Sequence, residues 1–394
     1  MEMKDRGRGM ERTSRQGLAL VEKYYSDYGC RAKELKKKGK KIMGYLSALG
    51  PLEIITAAGF IPVRMKGGVN EPITKADTQM ETIVCPFVRN VFDSALKGRY
   101  DYLDGIVIPH TCDSISRTYD IWSYNLQLPY SHFLNVPHVI DEPSLDFFKE
   151  ILCTFVKSLE KSTGKKITNE GLSQAVKAHN RNREAMRQLY ELRRSHPPSI
   201  SGVEMMKVLV AAMSLPVEES TELIQNVIDE VKERGSTPVQ KSARVMIIGD
   251  QIDDIALIEI IEKAGARMVM DDISIGSKIY WPDIEKTQNP IDGIAERYLR
   301  KIKIPTTYRD TGGTYQDKLE GRFGHIRQFI KDFKVDGAIL FIYKYCDPYG
   351  FEVPATKSYI ESLGTPVLYL EEEYSTSTLG RLKTRIEAFL EMIS

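Results

Sequence analysis

A chain of 394 residues exceeds one small core and, at about 100–200 residues per domain, implies two or three domains. Hydrophobic residues at 42% and charged residues at 28%, with 28 Gly and 18 Pro, exclude a disordered or collagen-like chain. Lys+Arg of 55 against Asp+Glu of 54 leaves a formal charge of +1, so no global field holds a polyanion and nucleic acid is not expected as a partner.

The opening MEMKDRGRGMERTSR is charged where a signal peptide needs an apolar stretch, and no window reaches the roughly 18 apolar residues of a membrane helix. A cytoplasmic protein with no membrane partner is expected. Residues 1–41 place Leu18, Leu20, Val21 and Tyr24 at helical spacing and read as one amphipathic leading helix. A first α/β domain follows over 42–144. Its helical PLEIITAAG stops at Gly59 before the strand FIPVRM, and LDGIVIP carries a short apolar run suited to a buried parallel strand. Residues 145–240 read as a helical insert, with FFKEILCTFVKSLEK and LSQAVKAHNRNREAMRQLYELRR at a period of 3.6. A second α/β domain, 241–394, begins with ARVMIIGD and closes on the helix GRLKTRIEAFLEMI.

The two α/β parts look alike. LEIITAAGFIPV (52–63) aligns without gaps on IEIIEKAGARMV (258–269). Asp104-Gly105, a strand and Cys112-Asp113 recur as Asp336-Gly337, a strand and Cys346-Asp347, each followed by a Pro-led strand, VPHVI (136–140) or TPVLYL (365–370). The fold expected is α/β, two related doubly wound Rossmann-like domains joined by a helical bridging segment, with ligands at the carboxyl ends of the strands.

Five cysteines are too few for a disulfide framework, and in a reducing compartment such thiols are buried, metal-bound or reactive. Cys85 precedes Pro86 and a helical pattern, while Cys112 and Cys346 fall at strand-to-helix turns. All three are expected at helix amino termini, where the dipole and free N–H groups lower a thiol's pKa. Cys30 and Cys153 lack that setting and read as small packing thiols. Three thiolates on separate loops fit a nucleophile, a zinc site or an iron–sulfur cluster, and intervals of 27 and 234 residues do not choose among them. Duplicated domains would bring the strand-end cysteines to one crevice, where three thiolates suit a 4Fe-4S cluster with an open fourth iron.

At this point the sequence resembles the iron–sulfur subunits of 2-hydroxyacyl-CoA dehydratases and benzoyl-CoA reductases, over nearly the whole chain. The resemblance is carried by PLEIITAAGFIPVRM, VCPFVRN, LDGIVIPHTCDSISRTYDIW, GKKIT, PPSISG, RVMIIGD and KYCDPYGFEVPATKSYIESLGTPVLYLE. It implies a 4Fe-4S cluster on Cys85, Cys112 and Cys346, and a homologous subunit or a second copy of the chain as partner. It further implies an acyl-CoA substrate reduced to a ketyl radical and an activator ATPase with its own iron–sulfur cluster, in keeping with the lack of a GxxxxGK[ST] motif here. Glu53, Ser47 and His110 are the residues it suggests for proton handling. Glu53 could equally suit the dipole of a first helical turn, and His110 could be a turn histidine.

Other readings stay open. The same family includes homodimers whose two half-sites share a double-cubane cluster acting on small molecules. The chain could also be an electron-relay subunit, or a metal-free two-lobed binding protein. No CoA-phosphate motif stands out, since Arg64, Lys66, Arg117 and Lys344 are scattered and read as solvated surface.

Overall fold

The computed structural model describes residues 16–234, 242–309, 311–377 and 379–393. Among these residues eight strands form two parallel sheets. The first holds β1 (Lys41–Tyr45), β2 (Phe60–Arg64), β3 (Gly105–Pro109) and β4 (Tyr130–Leu134) in the order β2-β1-β3-β4. The second holds β5 (Arg244–Gly249), β6 (Arg267–Asp272), β7 (Gly337–Tyr343) and β8 (Val367–Glu372) in the order β6-β5-β7-β8. This is the expected α/β architecture of two like halves, and β3, β5 and β7, continuous apolar runs in sequence, are buried along their whole length.

The gapless sequence repeat is a repeat of register. Ile42 of β1 faces Ile61 and Arg244 of β5 faces Arg267, the residues that the alignment pairs. The recurring Asp-Gly has one job in both halves. Asp104 exchanges 2.8 Å hydrogen bonds with Ile42, accepting that residue's N–H on Oδ2 and donating its own N–H to the Ile42 carbonyl. Asp336 does the same to Arg244 at 2.8 and 2.7 Å. Each carboxylate thus pins the first strand of its sheet, and the glycine after it sits where a Cβ would lie 2.7 Å from Tyr130 O or from Ile393 Cδ1. Asp104→Ala and Asp336→Ala should each lower stability by about 1–3 kcal/mol, the cost of an unpaired strand-end N–H. That loss should appear as a lower urea midpoint at unchanged slope, with Asn, which keeps one acceptor, recovering most of it.

Two expectations need correction. The leading segment, described from residue 16, is two helices, Gly17–Ser26 and Cys30–Lys37, because Gly29 at φ 86° turns the chain between them. The strand after β3 is Tyr130–Leu134; VPHVI follows it and makes only an isolated bridge, Val139 to Tyr308, since Pro137 has no N–H for a ladder. Beyond these, the second α/β part reaches across to the first. Ile284, Ile291, Ile294, Leu299 and Ile302 cross over to pack with Met43, Ile54, Val107 and Phe148 around the first sheet.

The helical stretch ties the halves together. Helix Glu142–Thr163, capped by Asp141 accepting from Ser144 N at 2.8 Å, buries Phe148, Leu152, Phe155 and Leu159 on the first half. Helix Asn169–Glu191 puts Leu172 and Val176 into that core, and Met186, Leu189 and Tyr190 into the core of the second half. A helix shared between two cores couples their positions, which matters because the site lies between them.

Candidate functional site

Cys85, Cys112 and Cys346 each occupy the N-cap position of a helix: Pro86–Leu96, Asp113–Asn125 and Asp347–Ser362. The proline and aspartate signals in the sequence place them correctly, and all three line one cleft of about 330 Å³. Its other walls include Ser47 and Ala48 after β1, Thr111 after β3, Asp250 and Gln251 after β5, and Tyr345 after β7. Those are the central strand pairs, β1/β3 and β5/β7, at which strand order reverses in each sheet. The cleft therefore spans the switch points of both halves, where open α/β sheets take ligands. Counting from the pinned residues Ile42 and Arg244, Ser47 is the counterpart of Gly249, and Ala48 that of Asp250.

The thiols do not have the lowered pKa expected of helix amino termini. Burial pushes Cys85 up to about 11 and Cys112 up to about 12, and raises Cys346 further still. The Asp250 carboxylate adds to the rise at all three, and none closes a capping hydrogen bond, although the N–H groups of Val88, Ile115 and Tyr349 oppose the shift. Among the described residues no lysine or arginine lines the cleft. Burial outweighs the dipole, so these are poor nucleophiles at neutral pH. Bound metal would supply the missing positive charge by displacing the protons. Among the described residues no three His, Cys, Asp or Glu side chains stand close enough to hold a single ion. A cubane asks for a different arrangement, with each thiolate on its own iron around a roomy cleft.

Ser47 lies in the wall of the cleft, in the left-handed region at φ 75°. Such a conformation costs a non-glycine residue about 1–3 kcal/mol. His110 is not among the lining residues. Its ring stands 4.4 Å from that of His138 and its Nδ1 3.3 Å from Asn135 Oδ1, while His138 is the histidine on the cleft. Glu53 is fully buried and lines neither this cleft nor its neighbour; it accepts from Arg183 Nη1 at 2.8 Å and from Tyr298 Oη at 2.9 Å. Burial would raise its carboxyl, but the Arg183 charge and hydrogen bond prevail and hold it at about 2. Its geometry is that of a counter-ion. Asp250, absent from the expected site, is pushed up by burial and accepts from Gln251 Nε2 at 2.9 Å and from Ser274 Oγ. Cys30 also begins a helix, yet neither it nor Cys153 lines the cleft. Arg64, read as surface from its sequence, is 1% exposed.

No described helix is long and apolar enough to cross a membrane. The family described as 2-hydroxyglutaryl-CoA dehydratase, D-component, matches residues 48–393. The (R)-phenyllactyl-CoA dehydratase beta subunit of Clostridium sporogenes is 28% identical, covering 92% of this chain and 94% of its own. The (R)-2-hydroxyglutaryl-CoA dehydratase subunit beta of Acidaminococcus fermentans is 25% identical over 91% and 94%. A benzoyl-CoA reductase subunit of Thauera aromatica is also 25% identical, over 86% and 87%. With a match that begins just ahead of the helix Leu52–Ala57 and takes in all three cleft cysteines, the chain belongs to the 2-hydroxyglutaryl-CoA dehydratase D-component family.

Proposed function

We propose that this protein holds a 4Fe-4S cluster through Cys85, Cys112 and Cys346. In this reading it is one subunit of a reductively activated 2-hydroxyacyl-CoA dehydratase or benzoyl-CoA-type reductase. The observation that carries the reading is the meeting of three thiols, two from the ends of β3 and β7 and one from the loop ahead of helix Pro86–Leu96, in one cleft. Their chemistry supports it, since thiols raised by burial, with no lysine or arginine in the cleft wall, suit ligation better than nucleophilic attack. Bound there, the cluster supplies one-electron chemistry and, at the iron no cysteine takes, a Lewis acid.

The residues of the chain then shape and dry the space beside it. Phe87, Val88, Ile115 and Ile304 form apolar wall, while Ser47 and His138 offer a hydroxyl and an imidazole. Asp250, its carboxyl raised by burial, stands in the same wall beside Gln251. The relatives' own names, which make each of them one subunit of an enzyme, point to a partner here. Phe351 and Tyr345, 87% and 45% exposed on the wall of the cleft, give such a partner aromatic surface to cover. A homologous subunit or a second copy would serve, with electrons arriving from a separate ATPase.

Anaerobic purification with iron and sulfide counting tests the reading. Cys85→Ala, Cys112→Ala and Cys346→Ala should each lose most of the iron, whereas Cys30→Ala and Cys153→Ala keep it. A colourless wild type after anaerobic reconstitution, or iron content indifferent to the three substitutions, overturns the assignment. A cluster spectrum that moves on addition of acyl-CoA separates catalysis from electron relay.

A further inference from the structure

Beside the cysteine cleft lies a second cavity of about 60 Å³, and Ser47 and Ala48 belong to the walls of both. It has room for on the order of four waters. Three buried arginines, Arg64, Arg183 and Arg297, line it together with Tyr45 and Tyr280, and no aspartate or glutamate is among its lining residues.

The charges are unequally answered. Arg183 is paired with Glu53 at 2.8 Å; its Nε stands 3.5 Å from Asp283 Oδ1 and makes no hydrogen bond. Arg297 gives Nε and Nη2 to the carbonyls of Pro282 and Ile279 and has no carboxylate at ion-pair distance among the described residues. Arg64 donates Nη2 to Gln251 and leaves buried Nη1 with no acceptor. Among the described residues no carboxylate stands at ion-pair distance from Arg64, whose Nη2 partner, Gln251, is neutral. His179, taken down to about 4 by burial, adds none of its own. A buried guanidinium without a counter-ion is costly, and its planar fork matches a carboxylate.

We propose that this cavity is a binding site for a small carboxylate, held by Arg64 with Arg297 and the tyrosine hydroxyls. It stands on charge and shape alone and does not depend on the iron cluster. Two sources present this chemistry: a free carboxylate, or the far end of a dicarboxylic acyl group whose thioester lies in the cysteine cleft across the shared Ser47–Ala48 wall.

Titration calorimetry on the full chain with sodium acetate, at ionic strength held constant with chloride, tests the site. Wild type should show saturable binding, weakened at least tenfold by Arg64→Met. Tyr45→Phe removes one oxygen at nearly constant shape, so it should weaken binding severalfold even if Arg64→Met fails to fold. A second arm compares the CoA thioester of a dicarboxylic acid with that of a monocarboxylic acid of equal length. At least tenfold preference for the former in wild type, reduced in the variants, names the acyl tail as the source. Acetate binding without that preference names the free anion. Neither binding nor preference, or either of them unchanged in both variants, overturns the proposal. Failure of the cluster reading would show in the cysteine variants and leave this outcome untouched.

Discussion

Arg183→Met should cost about 3–5 kcal/mol of folding free energy at neutral pH, because it strands the fully buried Glu53 carboxylate without its counter-ion. In the wild type, Glu53 sits at about 2, against an ordinary value of 4.5. A carboxyl with a lowered folded pKa contributes stability that is complete above its ordinary value and is lost as pH falls through the folded one. For this group that is about 3 kcal/mol, withdrawn between roughly pH 4.5 and 2. Without Arg183, burial dominates and the same carboxyl is raised instead, so Glu53 favours its neutral form in the folded variant. The deficit of Arg183→Met should therefore be largest at pH 7 and shrink as pH falls toward about 2, below which Glu53 is protonated in both proteins. Urea denaturation across that range measures it. Glu53→Gln on the Arg183→Met background should recover part of the loss, because a neutral amide replaces a stranded charge. A deficit that stays the same at every pH would show that Arg183 matters only for packing.

The halves of the fold were readable because their signals are local. Gly59 and Gly265 end helices at φ 84° and 95°, and Pro86 and Asp347-Pro348 mark helix starts, so the cysteines ahead of them could be placed at N-caps from sequence. Residues whose meaning depends on distant partners were not readable. Glu53 looks like a carboxylate in a first helical turn until Arg183, 130 positions away, is seen to hold it. Arg64 ends a strand and reads as surface until helix Asn169–Glu191 and the segment after β6 close over it. Isoleucines 284 to 302 carry the same apolar pattern whichever sheet they cover, so their crossing to the first half leaves no local trace. His110 and His138 are adjacent in space, yet only the backbone decides which of them borders the cleft. The sign of the thiol shifts was missed for the same reason: helix position is local, whereas depth of burial is set by the whole fold.

Gly249→Ala should be as damaging as the loss of Arg183, and at the site itself. A Cβ at this position would lie 2.2 Å from the carbonyl oxygen of Phe341, its partner across β5 and β7, and 3.2 Å from Ile252 Cδ1. The nearer atom is backbone in a buried strand and cannot give way by rotating a side chain, so the two central strands must part at their carboxyl ends. Overpacking of a core costs about 1–3 kcal/mol where side chains can adjust, and a clash with backbone belongs at or above the top of that range. Those strand ends carry Asp250 and lead to Cys346, so the strain falls on the cleft and iron retention should fall with stability. Gly350→Ala supplies the contrast. It lies in helix Asp347–Ser362, which Cys346 caps, and its Cβ would meet nothing within 4 Å. Alanine there should raise stability by about 0.5–1 kcal/mol through helix propensity and leave the iron in place. Paired urea midpoints and iron counts for the two variants decide the matter: equal outcomes would mean that β5 and β7 tolerate separation and that the cleft is not held by their contact.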